Sequence, residues 1–121
     1  MLTSGTPDTQ RVVDEIAAER KRQMWDENWS PEHDDQHSRS EMAIAAGMYA
    51  IHAGRPDLLD IDRSFGSNEA YPVGWPWHRQ WWKPKNARRD LVRAAALIVA
   101  EIERLDRATV ARMAEKLMDR S

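Results

Sequence analysis

Glu32-His33-Asp34-Asp35-Gln36-His37 places two imidazoles and three carboxylates in six consecutive positions, just ahead of an apolar stretch. Between Asp26 and His37 there are five acidic residues and no Lys or Arg, so this negative charge must find a cation, a distant Arg or water. Such a set suits a divalent cation or proton-transfer chemistry. Its spacing is not that of a standard zinc helix signature, and a loop locked by Asp-to-backbone hydrogen bonds and by pairing with Arg39, Arg88 or Arg89 is the competing reading.

A second segment complements the first. Trp75 to Arg93 reads WPWHRQWWKPKNARRDLVR, with four tryptophans, six Lys or Arg, one His and a single acid. Indole faces stack on nucleobases or cover a core, and clustered Lys and Arg attract phosphates. An acidic, His-containing loop and a basic, Trp-rich loop together point to a phosphorylated, base-bearing ligand with a metal. Trp77, Trp81 and Trp82 also suit the simpler task of sealing a small, alanine-rich core.

At 121 residues the chain is sized for a single domain, taken as 8–121 with 1–7 as a flexible lead-in. It has no cysteine, which removes disulfides and thiolate metal sites. No segment approaches the roughly 20 apolar residues of a membrane helix, and MLTSGTPDTQ lacks a basic stretch followed by an apolar core. The expectation is a cytoplasmic protein. A net charge of −2 argues against long nucleic acid and for a small ligand held by a local basic patch. There is no glycine-rich phosphate loop, nucleophile elbow or GxGxxG signature, so covalent catalysis and Rossmann-type binding have no support.

The elements that would position these residues are helical. Asp8 or Thr9 caps a first helix through about Asp26, with Val12, Val13, Ile16, Ala17 and Met24 on its apolar side. Arg20 falls within that arc, where it needs either a ligand anion or a structural carboxylate. Ser38 to Glu41 reads as a capping box opening a second helix, apolar from Met42 to Ile51 and closed by Gly54 and Pro56. A helix apolar on every side must be surrounded, by a bundle or by another subunit. Residues 54–85, rich in Pro and Gly, predict a long excursion with at most a short helical turn at Asp57–Asp62, and such loops are often binding loops. Asn86 caps a third helix to about Arg107, with Leu91, Ala94, Ala95, Ile98, Ile102 and Leu105 on its apolar face. Residues 108–119 extend that helix, fold back or pair with another subunit.

The joint pattern of Glu19-Arg20-Lys21-Arg22-Gln23, Trp29 to His37, Glu41-Met42-Ala43, Trp75-Pro76-Trp77, Trp81 to Lys85 and Arg88-Arg89-Asp90-Leu91 resembles a family of small proteins of tailed bacteriophages and prophages, over about residues 12 to 107. More distantly it is similar to the all-α MazG-type nucleoside triphosphate pyrophosphohydrolases, which bind magnesium through an ExxE and an ExxD pair. That resemblance implies a small all-α bundle with a long Trp/Pro-rich loop between its second and third helices. It further implies cleavage of a nucleotide to monophosphate and pyrophosphate, in the cytoplasm of an infected bacterium. Two positions depart from the pattern: Ile44 stands where the second Glu after Glu41 belongs, and Arg93 stands where an Asp after Asp90 belongs.

The resulting assignment gives Glu15, Glu19, Asp34, Asp35 and Glu41 to Mg²⁺ or Mn²⁺, with Asp35 and Glu41 catalytic. Arg20, Lys83, Arg88 and Arg89 contact phosphates, and Trp81 or Trp82 stacks on the base. The apolar second helix predicts a homo-oligomer. Two other functions remain: a non-enzymatic protein that sequesters a nucleotide-derived immune signal, and an adaptor binding a host protein through its Trp-rich surface.

Overall fold

A computed structural model describes residues 6–26 and 40–120, and the fold within them is all-α. Helix α1 spans Pro7–Asp26. Its cap is Thr6 rather than Asp8 or Thr9: the Thr6 hydroxyl accepts from the Thr9 backbone N–H at 3.1 Å, and Pro7 occupies the first helical position, where its missing N–H costs nothing. Helix α2 spans Glu41–Gly54 and is preceded by Ser40, which has a left-handed backbone (φ 61°) and makes no side-chain cap bond. Glu41 is therefore the first residue of the helix, not the fourth member of a capping box; Ser38 lies outside the described residues. Helix α3 spans Ala87–Asp119 without interruption, so the stretch after Arg107 continues the third helix. Asn86 caps it as expected, accepting from the Arg89 backbone N–H at 2.9 Å.

The excursion between α2 and α3 is more regular than its composition suggests. It contains one-turn 3-10 helices at Pro56–Leu58, Ser67–Glu69 and Arg79–Trp81. Strands β1 (Ile61–Asp62) and β2 (Tyr71–Pro72) pair antiparallel, Ile61 with Pro72 and Asp62 with Tyr71. The Asp62 carboxylate accepts from the Ser64 backbone N–H at 2.8 Å and from the Tyr71 hydroxyl at 3.1 Å. These bonds to the ionised form hold its pKa below the ordinary 3.8, the Ser64 side first. Across the same lobe Arg79 lies over the Phe65 ring, 3.8 Å from its centroid.

Helices α2 and α3 run antiparallel, as the pairs His52 with Asp90 and Tyr49 with Arg93 require. Their contact is made of small side chains. Ala45, Ala46, Ala94, Ala96 and Ala100 are buried around Leu97 and Met42, so the two backbones approach closely. The core then extends sideways into the aromatic loop: Trp75 is buried, and Trp77, Trp81 and Trp82 pack against it. The tryptophans thus do seal an alanine-rich core.

Both long helices turn a different face inward from the one their aliphatics mark. On α1, Val12 and Val13 are exposed, and Glu19, Arg20 and Gln23 are buried. On α3, Leu91, Ile98, Ile102 and Leu105 are each about half exposed (48–52%), while Val92, Ala96, Leu97 and Ala100 are covered. The second helix is packed on one side only, with Ile44 at 44% and Ile51 at 40% exposure. Leu97, fully buried at the centre, is the sensitive core position. Leu97→Ala should lower unfolding free energy by about 3 kcal/mol, measured by urea denaturation, whereas Leu91→Ala on the open face should change it by well under about 1 kcal/mol.

Candidate functional site

A carboxylate in the interior needs a partner, and Glu19 has several. Its side chain is 1% exposed. Arg22, one turn along α1, donates to both carboxylate oxygens at 2.8 Å. Arg89 of α3 donates to Oε1, and the Arg93 guanidinium stands 4.0 Å from Oε2. Gln23 Nε2 reaches Oε2 at 3.4 Å. Three guanidiniums thus converge on one carboxylate. Burial pushes the Glu19 carboxyl up, but the hydrogen bonds and charges of Arg22 and Arg89 outweigh it and hold the group below its ordinary 4.5. Beside it Gln23 Oε1 and Arg93 Nε are buried without a hydrogen-bond partner.

One turn earlier Glu15 receives a two-pronged bond from Arg88, at 2.6 and 2.7 Å, which lowers its pKa. Arg20, nearly buried, donates to Glu103 of α3 at 3.1 Å, so a structural carboxylate is among its partners. Glu101 pairs with Arg104 at 2.6 Å. The Glu15–Arg88 and Arg20–Glu103 pairs fasten α1 to α3, and they explain why polar residues are covered on that side of α1.

Arg93 passes the cluster on to the aromatic loop. It donates to the Lys83 carbonyl, approaches the Tyr49 hydroxyl at 3.4 Å and lies over the Tyr49 ring, 5.3 Å from its centroid. The Tyr49 hydroxyl donates to the Trp81 carbonyl at 3.1 Å and accepts from the Lys83 backbone N–H at 3.0 Å. Trp82 stacks on Tyr49 with centroids 4.8 Å apart and planes 27° apart. The Lys83 ammonium sits 5.1 Å from the Trp81 ring.

The expected site residues thus fall in two neighbouring groups. Glu15, Glu19, Arg88 and Arg89 gather where α1 meets the start of α3. Lys83, Trp81 and Trp82 lie on the segment entering α3, tied to the first group through Arg93 and Tyr49. Glu41 is half-buried at the start of α2; the α2/α3 register carried along the helices brings it level with Glu101. His33, Asp34, Asp35 and His37 lie outside the described residues. Asp90, in the position that would open the ExxD pair, is 1% exposed and accepts from the Lys85 backbone N–H at 2.8 Å, with His52 Nδ1 at 3.2 Å.

As ligands for Mg²⁺ or Mn²⁺, Glu15 and Glu19 do not fit in this arrangement. Their oxygens are taken by guanidiniums, whose like charge a divalent cation would meet. Among the described residues no group of three or more His, Asp or Glu could hold a metal ion. Sequence reasoning passed over Tyr49, Arg93 and His52 as working parts. Arg93 was visible only as a departure from the ExxD pattern, although a charge replacing an acid beside an acidic partner is itself a signal.

Comparison with protein-family models, with curated proteins and with solved structures matches the chain to none of them. No helix among the described residues is long and apolar enough to cross a membrane.

Glu19→Gln removes the charge on which the arginines converge. It should destabilise the fold by about 3 kcal/mol, since breaking a buried pair leaves the opposite charge uncompensated. The sign of the pH effect follows from the lowered pKa. The contribution of Glu19 is fully present above about pH 4.5 and is lost as pH falls through the folded value. Urea melts from pH 7 to pH 3 should show a steeper acid loss for the native chain than for Glu19→Gln.

Proposed function

We propose that the protein binds a phosphorylated nucleotide, its phosphates held by the guanidiniums around Glu19. The observation that carries this reading is the pair of α3 guanidiniums, Arg89 and Arg93, that share the single Glu19 carboxylate among the described residues, with Arg89 still about a third exposed. A phosphate chain would supply further negative charge and accept the forked guanidinium donors. Lys83 adds a cation nearby, and Trp81 or Trp82 offers an indole to the base. Arg88 can join by exchanging Glu15 for phosphate, because that pair is surface-accessible and exchange costs little.

Two fates for the ligand are open to such a protein. Metal-dependent hydrolysis to monophosphate and pyrophosphate is the activity the resemblance implies, with Asp35 and Glu41 as its candidates. Retention of the nucleotide intact, as a sponge for a nucleotide signal, is favoured by the engagement of Glu15 and Glu19 with arginines. Near-stoichiometric protein incubated with linear and cyclic nucleotides, with and without Mg²⁺ or Mn²⁺, and read by mass spectrometry separates the two. Retention predicts intact nucleotide recovered after denaturation; monophosphate and pyrophosphate would establish the hydrolase instead. Arg89→Ala should weaken binding about tenfold or more, and unchanged affinity in that variant would remove the reading.

We also propose a homo-oligomer, supported by the open aliphatic faces of α2 and α3. Ile98→Glu combined with Ile102→Glu should convert the particle to monomer in light scattering after size exclusion, with helical circular dichroism retained. A native chain already monomeric at micromolar concentration would contradict this.

A further inference from the structure

Arg63 is exposed and has no carboxylate partner among the described residues. It lines a pocket of about 400 Å³ between the end of α2, the β1–β2 lobe and the segment entering α3. That size lies within the range of small-molecule sites. Lys83 lines the same pocket, likewise without a carboxylate partner, and no acidic residue is among the lining. Ser67 and Asn68 add hydrogen-bonding side chains, and half-buried Trp82 adds an indole surface. With two cations and no acid among its described lining, the cavity carries a positive potential that favours an anion.

His52 completes the wall. Its Nδ1 stands 3.2 Å from Asp90 Oδ2, and its ring meets Trp82 edge-on with centroids 5.5 Å apart. The Asp90 carboxylate can only accept, so Nδ1 carries the shared hydrogen. The two ring nitrogens point to opposite sides, which leaves Nε2 directed away from buried Asp90. Asp90 itself is fixed by the Lys85 backbone N–H, so the imidazole is oriented by a rigid partner.

We propose that this pocket is a second ligand site, which takes a phosphate monoester carried on a flat ring: the phosphate between Arg63 and Lys83, the ring against Trp82, and His52 Nε2 bonded to a ligand hydroxyl or phosphate oxygen. It shares Lys83 and Trp82 with the reading above but uses none of the guanidiniums around Glu19, and it stands whether or not those hold a nucleotide. Asp90 is a positioning residue here; His52 touches the ligand.

Isothermal titration of the full chain with adenosine 5′-monophosphate, guanosine 5′-monophosphate, ribose 5-phosphate and adenosine tests it. At least one nucleoside monophosphate should bind more tightly than both ribose 5-phosphate and adenosine. Arg63→Ala should weaken that binding about tenfold, as should Lys83→Ala and His52→Gln, while Arg112→Ala, on the exposed last turns of α3, leaves it unchanged. Arg63 is exposed and has no structural partner, so its variant reads binding rather than folding, with helical circular dichroism as the check. No binding of any probe at millimolar concentration overturns the proposal. Binding that survives Arg63→Ala but is lost in Arg89→Ala also overturns it, and would place the ligand at the Glu19 cluster. Loss in Arg63→Ala alone supports the pocket even if triphosphates fail to bind near Glu19.

Discussion

A buried carboxylate among arginines is the constraint from which the rest of this structure follows. Glu19 cannot be covered as a bare charge, so Arg22, Arg89 and Arg93 must come to it. Two of those three sit on α3, which fixes how α1 lies against that helix. Arg93 then has a second duty, because the group that reaches toward Glu19 also holds the Lys83 carbonyl and covers the Tyr49 ring. Through Tyr49 the restraint passes to the backbone at Trp81 and Lys83, and the aromatic loop is pinned at the point where it enters α3. One buried charge thus organises two helices and a loop.

The helical architecture was legible because its signals are local. Asn86 ahead of an aliphatic-rich run, Gly54 at the close of another, and the density of Pro and Gly between them mark the boundaries of α2 and α3 without any knowledge of packing. The inward faces were not legible in the same way. Periodicity assumes that large aliphatics point to the core, and here alanines do, since α2 and α3 approach closely enough to need small side chains. The displaced aliphatics of α3 are left facing outward, and Leu91 among them lines one groove with Val12 of α1. Arg20 at the centre of a supposed apolar arc was the warning that α1 buries polar groups instead.

The candidate site was legible in its residue types more than in its pairings. The basic end of the Trp-rich segment, from Arg88 to Arg93, lies against α1, where Glu15, Glu19, Arg88 and Arg89 meet. Their meeting is mutual, carboxylate to guanidinium, and spacing along one chain cannot tell whether an acid will face a metal or an arginine. His52 and Asp90 are far apart in sequence and join only through the antiparallel register of α2 and α3. Arg63 gains meaning only once the fold places it with Lys83 and His52 around one cavity.

The binding of phosphates by the guanidiniums at Glu19 is the proposal most open to direct observation. Arginine side-chain Nε resonances can be followed by NMR while a nucleoside triphosphate is added to the folded protein. If phosphates join the cluster at Glu19, the Arg89 and Arg93 signals move together and saturate, while Arg112, on the exposed last turns of α3, stays still. Signals of Arg89 and Arg93 that remain fixed through millimolar triphosphate would contradict the account, leaving the cluster as a fastening between helices and nothing more.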